Sequence, residues 1–265
     1  MSAQAMILAA GRGERMRPLT DTCPKPLLEV RGKPLMWWPL QALAQGGFTE
    51  VLVNTAWLGE QISSTFGSVL GLKAMTDKRS QLLNSEHFEA ALSIRYSHES
   101  LDFGGALETA GGITRALPQL DEVFWVLAAD VFAPDFVFSK DAVAHFKASG
   151  KLAHLWLVPN PDHNLKGDFG LSQEGLALNL PKDSAAPKYT YSTIGLYRSA
   201  LFAPPFCDIP PGNPQGVKAA LAPLLRAAMD RHLVSAELYK GPWTDVGTPE
   251  RLQWLSQIST PNHHS

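Results

Sequence analysis

The stretch Leu8-Ala9-Ala10-Gly11-Arg12-Gly13-Glu14-Arg15-Met16-Arg17-Pro18-Leu19-Thr20-Asp21-Thr22-Cys23-Pro24-Lys25-Pro26 decides how this chain is read. The apolar run ahead of Gly11 has the length of a buried strand, and Met6–Ala10 is expected to be the first strand of a sheet. That strand opens into a loop with Gly11 and Gly13, where backbone N–H groups can approach phosphate oxygens with no Cβ in the way. Arg12, Arg15, Arg17 and Lys25 follow. In a chain of 265 residues with a formal net charge of −2, cations gathered beside a Gly-rich turn imply a polyanionic ligand. Two familiar phosphate loops are excluded. Met16 stands where a dinucleotide fingerprint needs its third glycine, and no Gly-Lys-Ser/Thr follows for a Walker A loop.

Working outward, hydrophobic residues make up 45% and charged residues 18%, enough for a sizeable core and too apolar for disorder. The charge balance gives no reason to expect nucleic acid or an anionic membrane as partner. Cys23 and Cys207 are the 2 cysteines, which excludes a disulfide framework and a Cys-rich zinc site and fits a reduced, cytoplasmic protein. The N-terminus lacks the charged n-region of a signal peptide, and no stretch approaches a membrane span.

Short apolar runs alternate with helical patterns, the signature of a mostly parallel sheet covered by helices. Strands are expected at Met6–Ala10, Glu50–Asn54, Leu92–Tyr96, Val123–Ala128, Leu152–Val158 and Tyr189–Tyr197. Helices are expected at Leu35–Gln45, Glu60–Phe66, Glu108–Ala116, Asp141–Ser149, Lys218–Arg231 and Pro249–Ile258. Residues 160–190 read as loops and short edge hairpins. Residues 71–91 have no clear pattern, and 259–265 read as a frayed tail after one domain spanning 1–258.

Further segments carry chemistry. Val126-Leu127-Ala128-Ala129-Asp130 puts a carboxylate at the end of a buried strand, where open α/β sheets place ligands; Asp130 binds a metal there or caps the next segment. Trp243-Thr244-Asp245-Val246-Gly247-Thr248-Pro249 places Asp245 just before the start of the last helix, free to face a site. In Leu107-Glu108-Thr109-Ala110-Gly111-Gly112-Ile113 the glycine pair admits either a ring or phosphate close to the backbone, or tight helix packing. His163, in Asn160-Pro161-Asp162-His163, reads as a solvated loop residue rather than a ligand.

Gly11-x-Gly13-x-Arg15-Met16-x-Pro18-Leu19-Thr20 with Pro24-Lys25-Pro26-Leu27 resembles the signature of the sugar-phosphate nucleotidyltransferases, and over nearly the whole chain it is most similar to the bacterial N-acetylmuramate-1-phosphate uridylyltransferases. The resemblance implies a single-domain, GT-A-like (Rossmann-like) α/β fold: a mostly parallel mixed sheet flanked by helices. It implies UTP and a sugar-1-phosphate as partners, with Leu8, Ala10, Gly11, Arg12, Gly13, Glu14 and Gly111 around the nucleotide. Arg15 and Lys25 would hold the phosphates at the reacting centre. Asp130 and Asp245 would share Mg²⁺, a hard cation suited to carboxylate oxygens. Glu108, Asn160, Lys166, Asp168, Phe169 and Gly170 would line the sugar-phosphate side, with Lys182 or Lys188 on the phosphate and Lys166 the cation for an acceptor carboxylate. The chain departs from the pattern by Ala129 before the metal aspartate, by Ala110 before the glycine pair and by a longer Ser100–Ala106 segment. Glucose- or mannose-1-phosphate with UTP, dTTP or GTP is the alternative chemistry. A non-catalytic nucleotide sensor is the alternative class, disfavoured by retention of Lys25, Asp130 and Asp245, and a dehydrogenase is disfavoured by Met16. No appended acetyltransferase domain is expected, and the assembly is expected to be a monomer or small homo-oligomer.

Overall fold

The computed structural model describes residues 2–72 and 90–257; most of the unplaced 71–91 segment and the expected 259–265 tail lie outside those residues. In chain order the strands are β1 (Ala3–Ala9), β2 (Glu29–Val30), β3 (Lys33–Pro34), β4 (Glu50–Thr55), β5 (Val69–Leu72), β6 (Ala90–His98), β7 (Leu120–Ala128), β8 (Val131–Phe132), β9 (Ala153–Val158), β10 (Phe169–Leu171), β11 (Ala177–Leu178), β12 (Lys188–Arg198), β13 (Val234–Leu238) and β14 (Thr244–Asp245). The helices are α1 (Trp37–Gln45), α2 (Gly59–Phe66), α3 (Glu99–Phe103), α4 (Glu108–Ala116), α5 (Lys140–Ser149), α6 (Leu221–Met229) and α7 (Pro249–Gln257).

The main sheet runs β11-β10-β12-β7-β1-β4-β6-β5, with β9 and β13 attached through β12. Its centre is parallel, β7, β1, β4 and β6 lying side by side in one direction, and β12 enters antiparallel between β7 and β9. Central strands covered on both faces must be apolar on both faces, and β1 and β7 are. Ile7, Trp125 and Leu127 pack with Leu40 and Leu43 of α1, Ile62 and Phe66 of α2 and Phe146 of α5. Met6, Phe124 and Val126 pack on the other side with Ile113 of α4 and Leu221, Leu224 and Leu225 of α6. Parallel strands end together, so the loops after β1, β4 and β7 share one edge.

Each expected strand and helix is present, with boundaries moved by local bonding. Helix α5 starts at Lys140 because the Ser139 hydroxyl accepts from the Ala142 N–H at 3.0 Å, and Gly150 closes it in the left-handed conformation. Helix α6 starts at Leu221 rather than Lys218, because Ala219 is already engaged: its N–H donates to Leu107 O and its carbonyl accepts from Ala110 and Gly111. Strands β5 and β13 and helix α3 were not expected. Val234–Leu238 was assigned to no element, and its parallel pairing with β9 makes it a strand.

Candidate active site

The loops after β1 and β7, with Asn54 near the end of β4, border a cavity of about 870 Å³, within the usual range for small-molecule sites. One wall is the glycine loop. Gly13 is left-handed (φ 70°), and an added Cβ would lie 3.1 Å from Thr20 Cγ2, so this turn requires glycine. The turn is fixed by Met16 N–H and Thr20 Oγ1 donating to Gly13 O at 2.8 and 2.9 Å. At Gly11 a Cβ would meet nothing within 4 Å; the space beside it is open to a ligand. Behind the loop, Asn54 Oδ1 accepts from the Ala9 N–H at 2.9 Å, and Asn54 Nδ2 donates to the buried Glu99 at 2.7 Å. Glu99 also accepts from the Leu107 N–H at 2.7 Å, tying α3 and the start of α4 to the strand that delivers the loop. Burial raises the Glu99 carboxyl above its usual range, opposed by the bonds from Leu107 and Asn54 and by Arg115.

Lys25 and Asp130 meet as an ion pair on the cavity wall. Asp245 arrives from far along the chain because β14 pairs with β8, which sets Asp245 opposite Val131, and the Val246 N–H donates to Asp130 O at 2.8 Å. Asp245 Oδ1 is held by Arg251 at 2.5 Å and His163 at 2.9 Å. His163 is exposed, as its loop position implied, and is in addition a partner of Asp245. Asp130 and Asp245, on backbones joined by the Val246 N–H bond to Asp130 O, are hard oxygen donors of the kind that suits a divalent cation whose shell is completed by phosphate oxygens. Among the described residues no group of three or more acidic, His or Cys side chains converges as a metal site by itself.

Of the residues singled out in the sequence, Leu8, Ala10, Gly11, Gly13, Glu14, Arg15, Lys25, Glu108, Asp130, Asp168 and Phe169 line this cavity. Others do not. Arg12 pairs with Glu14 at 2.9 Å and lies over Trp57, 3.8 Å from the ring centroid. The glycine pair in α4 serves packing: a Cβ on Gly111 would come within 2.5 Å of Val217 O, and one on Gly112 within 2.5 Å of Glu99 Oε1. The Ala110 and Gly111 N–H groups are occupied by Ala219 O at 2.8 and 3.1 Å, so Gly111 is off the cavity wall. Asn160 braces β12, accepting from Thr190 Oγ1 at 2.9 Å and donating to Lys188 O at 2.9 Å. Lys188 donates to Pro181 O at 2.5 Å; Lys166 and Lys182 are exposed, and a Cβ on Gly170 would run into Leu180.

The cavity also has walls that the sequence reading missed: Asn54, Tyr191 and Thr193 from the sheet, and Leu221, Leu225 and Arg226 from α6. Thr193 is a non-glycine residue at φ 62° in a bulge of β12, and its hydroxyl is buried with no partner. Asp168 is turned onto β12, accepting from the Tyr191 N–H at 2.8 Å. Arg226 was hidden because its neighbours Leu224, Leu225, Ala228 and Met229 read as an ordinary core stripe.

A family model described as Nucleotidyl transferase matches residues 4–259. The chain is 42% identical to an N-acetylmuramate alpha-1-phosphate uridylyltransferase of Neisseria meningitidis serogroup B, over 94% of this chain and 95% of that one. It is 27% identical to a UTP–glucose-1-phosphate uridylyltransferase of Synechocystis, over 92% of this chain but 60% of that relative's length. Its fold is similar to HddC of Yersinia pseudotuberculosis, a crystal structure complexed with GMP-PN, with a TM-score of 0.63 at 16% identity over 96% of this chain and 98% of that one. A Bacillus anthracis protein assigned as a glucose-1-phosphate thymidylyltransferase gives a TM-score of 0.68 at 21% identity, covering 97% and 96% of the two chains. The glycine loop, the paired Lys25 and Asp130 and the nearby Asp245 thus sit in a chain that belongs to the nucleotidyl transferase family and is a homologue of sugar-1-phosphate uridylyltransferases.

Proposed function

We propose that this protein transfers UMP from UTP to N-acetylmuramic acid 1-phosphate, releasing pyrophosphate. The observation that supports the reaction type is the meeting of Gly11, Gly13, Lys25 and Asp130 on one cavity wall at the edge of a parallel sheet, with the strand that carries Asp245 paired beside Asp130. The acceptor and UTP are proposed from the likeness to the Neisseria enzyme. An oxygen of the sugar phosphate attacks the α-phosphorus of UTP; the new P–O bond forms as the bond to the bridging oxygen breaks, and pyrophosphate leaves with the electron pair. The attacking phosphate is anionic at neutral pH, so no general base is required.

The protein's task is to bring two polyanions together and neutralise them. The open backbone at Gly11 and the tight turn at Gly13 would hold the β- and γ-phosphates. Lys25 and Arg15 would place fixed positive charge on the phosphate oxygens, the first as a compact ammonium, the second as a fork. Asp130 and Asp245 would hold Mg²⁺, which when bound adds charge neutralisation at the α-phosphate. Lys25 is positioned for this by its pairing with Asp130.

A pyrophosphate-release screen crossing four nucleoside triphosphates with N-acetylmuramic acid 1-phosphate, glucose-1-phosphate and mannose-1-phosphate tests the assignment. UTP with the muramate should give the highest kcat/KM. If glucose-1-phosphate is consumed as fast, the muramate assignment falls. No release with any pair sinks the enzyme reading in favour of a nucleotide sensor.

A further inference from the structure

Three cationic residues line the cavity among those described: Arg15 and Lys25 from the glycine-loop side, and Arg226 from α6. Lys25 is neutralised by Asp130. Arg15 and Arg226 have no carboxylate partner among the ion pairs of the described residues, and the groups that hold Arg226 are uncharged. Its guanidinium donates to Asn179 Oδ1 at 2.7 Å, approaches Asp168 O at 3.5 Å, and lies over the Phe169 ring, 5.0 Å from the centroid. Asn179 is itself fixed by donating to both carboxylate oxygens of Asp230, at 3.0 and 3.2 Å, which aims its oxygen at Arg226. The Asp168 carboxylate, also on the cavity lining, is taken up by the Tyr191 N–H and Asn164. A guanidinium carries five N–H donors, and the two nitrogens engaged leave donors over for the cavity. Its planar fork matches a carboxylate.

The surroundings give the ligand's character. Phe169, Tyr191, Leu221 and Leu225 supply apolar wall for the face of a sugar ring, and Thr193 contributes a buried hydroxyl with no partner in the protein. A β-branched residue held at φ 62° is strained, and such strain persists where the surroundings enforce it. This end of the cavity therefore combines a cation without a carboxylate partner and an apolar wall. That set suits a sugar bearing a carboxylate.

We propose that Arg226 binds the carboxylate of an acidic sugar-1-phosphate acceptor and is the residue that sets acceptor choice. This rests on the uridylyltransferase reading above. It moves the carboxylate contact from Lys166, which is exposed and off the cavity wall, to α6. N-acetylmuramic acid 1-phosphate and N-acetylglucosamine 1-phosphate differ only by the lactyl ether, so their comparison isolates the carboxylate arm.

The experiment measures kcat/KM for both acceptors with UTP in wild type, R226Q and R226K. Wild type should prefer the muramate, and R226Q should shrink that preference about ten- to a hundredfold, chiefly through KM for the acidic acceptor. R226K keeps the charge without the fork and should retain part of the preference. A preference in R226Q equal to that of wild type overturns the proposal, as does a loss that is the same for both acceptors, which would make Arg226 structural or a phosphate ligand. If R226Q does not fold, wild type with the lactyl methyl ester decides: the ester should react like the neutral acceptor, and an ester as good as the acid overturns the proposal. Wild type active on both acceptors at equal rates defeats the Arg226 inference alone. Wild type inactive on both with UTP defeats the underlying reading as well.

Discussion

The glycine-loop wall of the cavity draws Leu8–Gly11, Gly13–Met16, Lys25 and Pro26 from one stretch of sequence, whereas other parts of the lining take Asp168 from a loop, Thr193 from a bulge in β12 and Arg226 from α6. The first is built from backbone geometry and closely spaced charge. Its glycines are needed for a left-handed turn and for open space, and its Lys25 is paired across the site with Asp130. The second is built by tertiary packing, and its single cation is held by neutral acceptors. Groups that act on a phosphate common to all donors can be fixed locally, while groups that select one acceptor need a pocket shaped by several elements.

If the paired-charge wall carries the chemistry, its carboxylates should show the largest effects. D130N and D245N are each expected to lower turnover about 10²–10³-fold, with far-ultraviolet circular dichroism unchanged. Near-normal turnover in either variant at saturating Mg²⁺ removes that residue from the metal site. K25A comes next: kcat should fall about 10²-fold and by more than KM for UTP rises, with K25R restoring only part because a fork replaces a compact ammonium. A defect confined to KM would reassign Lys25 to ground-state binding and blur the contrast between the two walls.

The glycines sharpen the comparison from another direction. G111A and G112A would push a Cβ to 2.5 Å from Val217 O or Glu99 Oε1. Overpacking of that kind costs about 1–3 kcal/mol, or roughly 2–12 °C in Tm. G11A meets open space and should melt with wild type while raising KM for UTP. Equal melting of all three variants would mean that α4 relaxes around the added methyl. The smallest effect expected is a pH drift at Glu99. Its raised pKa means that the folded state keeps the proton to higher pH than the unfolded chain, so its contribution to stability declines as pH rises from about 4.3 through the folded pKa. E99Q, which cannot accept both the Asn54 and Leu107 bonds, should be less stable than wild type, and urea melts should show that gap narrowing over the same window. A gap constant with pH would mean that Glu99 titrates normally.

The glycine loop, the buried strands β1 and β7, most helices and the cavity positions of Lys25 and Asp130 were readable because each depends on neighbours in sequence: hydrophobic period, turn chemistry and charge density. Asp245 was readable as a motif, but its partner was not, since the β14–β8 pairing joins residues more than a hundred positions apart. The contact of His163 with Asp245 was hidden for the same reason; nothing near Asn160-Pro161-Asp162 announces a carboxylate arriving from Asp245.

Residue order by itself therefore determined a parallel α/β sheet with a phosphate-binding turn after its first strand, because strand burial and glycine conformation are local properties. Only the tertiary structure decided that the α4 glycines are packing positions, that β13 is a strand, and that Arg226 rather than Lys166 faces the cavity. Those outcomes follow from which backbones approach one another: Ala219 on α4, β9 beside Val234–Leu238, and α6 laid over Phe169. A lysine or arginine looks the same in sequence whether it ends in solvent or against an apolar wall, and the packing around it settles which charge a ligand meets.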